Sequence, residues 1–241
     1  MGKKIIRVIA VVLIPVVCLY LLTLLLTPKY VNDIPEGSMI AEYYKSEKNN
    51  DVLILGDCEV YENISTVKMW EEYGITSYIR GSSEQLIWQS YYLLEDTLKH
   101  ETPKVVVLSM LAMSEADAKS EAYNRMTLDG MRWSKSKWNS IKESMTEKET
   151  MGSYIFPLLR YHSRWSELSS DDIKYMFNKP KVTSNGYLMQ VGVRPVTTVP
   201  KVSPLANYTF SDRNYEYLDK IKDLCNEKGI KLVLIKAPSI F

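Results

Sequence analysis

The ten residues VLILGDCEVY, 52–61, begin as a short apolar run and continue as a polar turn. Similar apolar runs occur at 77–80, 105–109 and 231–236, and stretches with helical periodicity separate them. Strands that are apolar on both faces and alternate with helices are typical of a parallel sheet covered on both sides. Right-handed crossovers then place helices on the two faces of the sheet. The sequence therefore predicts an α/β fold, a doubly wound three-layer α/β/α sandwich.

Amphipathic stretches predict the helices that connect these strands. Their bounds and candidate caps are 66–74 with Ser65 or Thr66, Ser82 or Ser83 to Lys99, and 211–228. Residues 111–210 lack the strand–helix alternation and predict a largely helical insertion. Within it, the helical stretches are 117–126, 136–145, 151–168 and 171–177. The segment 179–208 is rich in Val, Thr, Pro and Gly and predicts an irregular excursion or a hairpin.

The N-terminus carries a candidate membrane span. Residues 8–26 are uncharged over 19 positions, and at about 1.5 Å per helical residue they match a hydrocarbon core of about 30 Å. Lys3, Lys4 and Arg7 precede this run. The positive-inside bias therefore predicts a single-pass signal anchor in the cell membrane, with a cytoplasmic N-terminus. A cleaved signal peptide is the alternative. The predicted organisation is a cytoplasmic tip and anchor at 1–27, a stalk at 28–48 and an extracytoplasmic domain at 49–241.

The charge balance and the few cysteines and histidines exclude several classes of protein. Thirty Lys and Arg against 29 Asp and Glu leave a net charge of +1, so the attraction that drives most nucleic-acid binding is missing. Three cysteines at 18, 58 and 225 have no paired spacing, and the chain has two histidines. We therefore expect no disulfide framework, no metal centre, no cofactor and no nucleic-acid partner.

Polar residues at the strand ends mark the candidate site. Ligands of open parallel sheets bind beyond the carboxyl ends of the strands, which places Asp57, Cys58, Gly81 and Ser109 around one crevice. Cys58 is the candidate nucleophile, because a thiol just after a strand points into the crevice. The alternative is an inert buried thiol. The flanking carboxylates of Asp57 and Glu59 would raise the pKa of Cys58 by like-charge repulsion and oppose thiolate formation.

VLILGDCEVY resembles the first block of the SGNH (GDSL-type) hydrolases, in which a strand ends in Gly-Asp-Ser and the serine attacks an ester. Cys58 occupies the position of that serine. TSYIRGSSEQ at 76–85 resembles the second block, which implies that Gly81 donates its backbone N–H to an oxyanion hole. The resemblance implies a flavodoxin-like sheet and an esterase or acyltransferase. Its membrane-tethered members imply an acylated surface polysaccharide or teichoic-acid-like polymer as substrate, with a membrane acyltransferase as a candidate partner.

Two blocks of that family are missing. Ser109 stands where the third block has asparagine, and no Asp-x-x-His follows the last predicted strand. We expect the sequence to lack a C-terminal part of the domain, because a doubly wound sheet that stops there has an exposed edge. His162 is the candidate substitute base, whereas His100 ends a helix that returns to the opposite end of the sheet. The competing hypothesis is a catalytically inactive module that binds envelope glycans or a membrane partner.

Two clusters of cations and aromatic rings are candidate polymer-binding surfaces. Arg132 and Trp133 belong to the first cluster, and Arg160 belongs to the second with His162 and Trp165. Cationic attraction and ring stacking both suit an anionic or sugar-bearing polymer. The alternative for the first cluster is a solvated helix whose tryptophans pack inward.

Overall fold

The computed structural model describes residues 2–28, 38–178, 181–189 and 209–237. The described residues form one sheet of four parallel strands in the order β2-β1-β3-β4. The strands are β1 Val52–Gly56, β2 Ser77–Gly81, β3 Val105–Ser109 and β4 Lys231–Ile235. Each strand lies at a predicted apolar run, so the predicted α/β class with a parallel sheet is confirmed.

Helices make up most of the remaining described structure. They are α1 Gly2–Leu26, α2 Ser38–Glu42, α3 Cys58–Tyr61, α4 Thr66–Tyr73, α5 Ile87–Thr97, α6 Glu121–Leu128, α7 Lys135–Ser144, α8 Met151–Ile155, α9 Leu158–Tyr161, α10 Ser170–Lys174 and α11 Asp212–Glu227. Short 3-10 helices occur at Tyr43–Lys45, Met110–Ser114 and His162–Ser166. The part of the predicted excursion at 190–208 lies outside the described residues.

The chain divides into two compact units. We name them the anchor unit, formed from 1–35 and 149–180, and the sheet unit, formed from 36–148 and 181–241. The region predicted as one insertion, 111–210, is therefore shared between the two units. Its helices α6 and α7 belong to the sheet unit, where α7 packs on α5, whereas α8, α9 and α10 belong to the anchor unit with α1.

The core of the sheet unit forms around β1, which is one of the two inner strands of the sheet. All five residues of β1 and all five of β2 are buried. Helix α5 packs on β1 and β2, and its side chains Trp88, Leu93 and Leu94 are fully buried. Burying a large apolar side chain contributes about 1.5–3 kcal/mol, so this contact is a major source of stability. At the edge of the sheet, β4 leaves Val233 and Leu234 exposed.

Local capping explains where α4 begins and ends, and a turn before α5 makes that helix start later in the sequence than predicted. The Ser65 hydroxyl accepts a hydrogen bond from the Lys68 N–H at 3.2 Å, and Gly74 ends α4 with φ +66°. Both agree with the sequence. The prediction that α5 starts at Ser82 or Ser83 is wrong, because α5 starts at Ile87. Glu84 has φ +53°, which is incompatible with a right-handed helix.

A buried arginine connects β2 to the end of α5, and the sequence pattern did not indicate it. Arg80 is 0% exposed. Its Nη1 donates to the Leu93 carbonyl at 3.0 Å, to Asp96 Oδ2 at 3.1 Å and to Thr97 Oγ1 at 2.9 Å. Its Nη2 donates to the Tyr44 hydroxyl at 3.1 Å. A buried charge needs this degree of compensation, so the four partners fix the packing of α5 on the sheet.

The anchor unit contains α1 and three short helices. Ile9–Leu26 is long and apolar enough to cross a membrane, and it is the one such stretch among the described residues. The single helix predicted at 151–168 is wrong, because α8 ends at Ile155 and α9 starts at Leu158. Pro157 lies between them and lacks the N–H that would continue the helix.

We expect Asp96→Asn to destabilise the sheet unit by about 3–5 kcal/mol, because it leaves the Arg80 guanidinium buried without a counter-charge. Urea denaturation of the full chain in mild detergent, monitored by circular dichroism, measures the change in the free energy of unfolding. The matched control is Lys68→Ala, which breaks an exposed ion pair with Glu72 and should cost less than about 1 kcal/mol. Equal costs for the two variants would contradict the role assigned to Arg80.

Candidate functional site

The four strands end at one edge of the sheet, here named the carboxyl edge. Gly56 pairs with Gly81 at the ends of β1 and β2, and Ser109 pairs with Ile235 at the ends of β3 and β4. Cys58 follows β1 after one residue, as the first residue of α3. The structure thus brings Asp57, Cys58, Gly81 and Ser109 to the same edge, because the four strands are parallel.

Close packing explains the two glycines at this edge. Gly56 has φ +151°, and a Cβ there would lie 2.6 Å from the Cβ of Ser109. A Cβ on Gly81 would lie 2.8 Å from the carbonyl oxygen of Gly56. Neither separation is tolerated, so both positions require glycine for backbone approach alone. Glycine at position 81 is therefore not by itself a sign of an oxyanion hole.

The direction of the Gly81 amide is a separate observation. The Ser82 N–H donates to the Gly56 carbonyl at 3.3 Å, whereas the Ile79 N–H donates outward to the Asn185 carbonyl at 2.9 Å. Because amide directions alternate along a strand, the Gly81 N–H points with that of Ile79, away from β1. That direction leaves the amide free of the β1–β2 ladder, which a donor to a bound oxyanion needs.

Asp57 is the N-cap of α3. Its Oδ1 accepts a hydrogen bond from the Glu59 N–H at 3.0 Å, and the side chain is buried. Burial raises the pKa of Asp57 to about 6, with a further rise from the charge of Glu59, while the bond from the Glu59 N–H lowers it. At neutral pH the Asp57 carboxylate, directly beside Cys58, is therefore charged although its burial makes the charged form costly.

Cys58 is exposed, although Asp57 and Glu59 on either side are buried. Partial desolvation raises the pKa of its thiol to about 11, and the charges of Asp57, Glu62 and Glu84 raise it further. At pH 7 only about one thiol in 10⁴ is then ionised. Of the two flanking carboxylates, Asp57 raises the pKa of Cys58 as the sequence predicts. Cys58 therefore needs a proton acceptor before it can attack.

Glu59 connects three strand ends, a role that the sequence interpretation missed. Its Oε2 accepts a hydrogen bond from the Ser109 hydroxyl at 2.9 Å, and its Oε1 accepts one from Lys236 Nζ. The Ser109 oxygen also accepts from the Leu111 N–H at 3.2 Å. With its hydrogen donated to Glu59, the buried Ser109 hydroxyl is engaged in structure. The positions of Glu59 after β1 and Lys236 after β4 were the available signal, since both follow strands.

The two histidines belong to different units, and only His100 shares the sheet unit with Cys58. His100 follows α5 and contacts the Tyr44 ring at 5.9 Å between centroids. Because α5 returns against the strand direction, this is the opposite end of the sheet, as predicted. His162 is exposed in the anchor unit, with Nδ1 3.2 Å from the Leu158 carbonyl oxygen. Arg160 belongs to the anchor unit as well.

Arg132 and Trp133 lie near the other end of the sheet unit from Cys58. The Arg132 guanidinium is 4.6 Å from the centre of the Tyr44 ring, and Tyr44 is the neighbour of His100. Trp133 and Trp138 are 53% and 43% exposed, so the interpretation that these tryptophans pack inward does not hold. The structure therefore does not bring this cluster to the carboxyl edge.

Among the described residues, no group of three or more His, Cys, Asp or Glu could hold a metal ion.

We expect Asp57→Asn to stabilise the protein by about 2 kcal/mol at pH 7, because asparagine keeps the cap and removes a charge whose pKa is raised to about 6. The folded state holds this proton more tightly than the unfolded state, so wild-type stability falls as pH rises from about 4 to about 6. The gain from the substitution should therefore vanish near pH 4. Urea denaturation across this range measures it, and Glu62→Gln, an exposed neighbour, is the control. A gain independent of pH would contradict this account.

We expect the alkylation of Cys58 by iodoacetamide to keep accelerating beyond pH 9.5, where an ordinary thiol of pKa about 8.5 levels off. Removing a like charge in Asp57→Asn should shift the profile to lower pH. Mass spectrometry of the peptide that contains Cys58 follows the reaction and separates it from Cys18 and Cys225. A profile that levels near pH 8 would show that a nearby group already activates the thiol.

No protein-family model matches this chain, and comparisons with curated proteins and with solved structures gave no match.

Proposed function

We propose that this protein is a membrane-anchored, extracytoplasmic SGNH-like domain that hydrolyses or transfers an acyl ester of a cell-envelope polymer. The observation that carries the proposal is the exposed thiol of Cys58 at the strand end next to Gly81. Free cysteines are among the most buried residues in proteins, so an exposed one at the ligand-binding edge of a parallel sheet needs a reason.

The proposed fold is the flavodoxin-like, three-layer arrangement of that family. The order β2-β1-β3-β4 reverses direction at β1, next to the candidate site. Helices α5 and α11 contact each other, with the Tyr92 and Tyr217 rings 6.1 Å apart. The general preference for right-handed crossovers supports a placement of these two helices on one face and of α4 on the other.

In the proposed reaction the Cys58 sulfur attacks the ester carbonyl carbon. A thioester bond forms, the ester C–O bond breaks, and the leaving alkoxide takes the proton that a base removed from the thiol. The Cys58 and Gly81 amides donate hydrogen bonds to the oxyanion. Water or an acceptor hydroxyl then attacks the thioester and restores the thiol. Candidates for the base are His162 and groups outside the described residues.

The proposed setting is the outer face of the cell membrane. Lys3, Lys4 and Arg7, which precede the apolar span Ile9–Leu26, favour a cytoplasmic N-terminus. The substrate is then an acylated surface polysaccharide or teichoic-acid-like polymer, and a membrane acyltransferase is a partner that could supply the acyl group. Arg132, Trp133 and Arg160 are proposed polymer contacts. Arg132 and Trp133 lie away from the carboxyl edge of the sheet unit, and Arg160 belongs to the anchor unit.

A second candidate function is a catalytically inactive module that binds the polymer or the membrane partner. The raised pKa of Cys58, about 11, and the engagement of Ser109 by Glu59 favour it. Under this alternative the carboxyl edge is a structural junction, and the exposed thiol has no acyl acceptor role.

We expect the full chain in detergent to form a covalent adduct with a thiol-directed acyl probe at position 58. Cys58→Ala should reduce the label to background, whereas Cys58→Ser should keep a weaker reaction with a fluorophosphonate, because the hydroxyl is a poorer nucleophile. Cys18→Ser, in the membrane span, is the matched control and should label as wild type. Labelling of Cys58→Ala equal to wild type would exclude Cys58, and an unlabelled wild type would favour the inactive module.

A further inference from the structure

The anchor unit exposes a concentration of large apolar side chains outside its membrane span. Between residues 155 and 177, six side chains are 42% to 76% exposed: Ile155, Phe156, Leu159, Trp165, Ile173 and Phe177. We name this set the apolar surface of the anchor unit. Single exposed apolar residues are ordinary, but a group of this size in one short stretch marks an interaction site.

The burial pattern of α1 shows the depth at which these helices lie. Residues 11–22 are exposed, and burial begins at Thr23 and is complete at Leu26. The elements that contact α1 are α9, α10 and the 3-10 helix His162–Ser166. The short helices therefore surround the last turn of α1 and leave the rest of the span bare.

Arg164 fixes this arrangement. Its Nη1 donates to the Leu26 carbonyl oxygen at 2.6 Å, which satisfies one of the carbonyls at the end of α1. Its Nη2 donates to Asp172 Oδ1 at 3.2 Å, and Asp172 accepts from the Ser169 N–H at the start of α10. One guanidinium thus connects the end of the span to α10. The part of the apolar surface that belongs to α9, α10 and the 3-10 helix is thereby held at the level where α1 ends.

That level is the boundary between hydrocarbon and water for a helix of this length. A span of 18 residues, Ile9–Leu26, covers about 27 Å at 1.5 Å per residue, close to the thickness of a hydrocarbon core. Tryptophan and other large apolar side chains are favoured at this boundary, where the ring is buried among acyl chains and polar groups stay wet. Short helices that expose such side chains are suited to lie in the plane of the interface.

We propose that the apolar surface of the anchor unit is a lipid-binding surface, which lies in the membrane–water interface beside the end of α1. We assign the bilayer as the binding partner of this surface, because the surface adjoins the end of α1, whose residues 11–22 are exposed. The inference rests on α1 crossing a membrane and does not depend on the acyl chemistry. Trp165 and its apolar neighbours bind acyl chains near the headgroups, and Lys174, at the end of α10, is proposed to contact lipid phosphates.

The test places the full chain, one copy per disc, in phosphatidylcholine nanodiscs that contain lipid spin-labelled near the headgroup. We expect the label to quench tryptophan emission and Trp165→Phe to remove most of the quenching. Trp70→Phe is the matched control, because it removes another exposed indole that belongs to the sheet unit, and it should leave the quenching unchanged. Phe156→Trp, which adds an indole to the apolar surface, should increase the quenchable fraction.

Acrylamide, a water-soluble quencher, separates the outcomes. We expect it to reach Trp165 poorly in discs. Free access of acrylamide to Trp165 with no quenching by the lipid label would overturn the proposal. Protection from both quenchers would overturn it as well, since the surface would then be covered by protein. Cys58→Ala should give the wild-type quenching result in every case, so failure of the proposed chemistry and failure of lipid binding are distinguishable.

Discussion

The approach of three strand ends at Gly56 is the constraint on which the candidate site depends. Gly56 lies between Gly81 and the Cβ of Ser109, with no room for a side chain of its own. Because β1 can end there, Asp57 and Cys58 emerge at the level of the β2 and β3 ends rather than above them. The thiol, the Gly81 amide and the Glu59–Ser109–Lys236 connection follow from that one close contact.

Charge at the carboxyl edge is arranged for structure more than for an activated thiol. Lys236 and Ser109 compensate the charge of Glu59, whereas burial raises the pKa of Asp57 although the Glu59 N–H donates to its carboxylate. Proteins retain costly features of this kind mainly at functional sites. The same carboxylate raises the pKa of Cys58, so activation of the thiol requires a base or a cation that offsets it.

Each strand could be predicted from the sequence because apolar residues on both faces and a closing glycine are local signals. The cap at Ser65 and the end of α4 at Gly74 are local in the same sense. The start of α5 could not be predicted, since Glu84 adopts a positive φ against its intrinsic preference. The break between α8 and α9 has a local signal in the sequence, because Pro157 lacks the N–H that would continue the helix.

The sequence by itself determined the strands, their parallel class, the apolar N-terminal helix and the position of Cys58 after β1, because periodicity and composition act over a few residues. Only the tertiary structure decided which distant side chains meet. Arg80 donates hydrogen bonds to Tyr44 and Asp96, and Lys236 donates one to Glu59. Arg164 donates to the Leu26 carbonyl, 138 positions away in the sequence. Such pairings depend on the path of the whole backbone. A buried charge needs a partner, but the sequence around that charge does not show which distant residue the partner is.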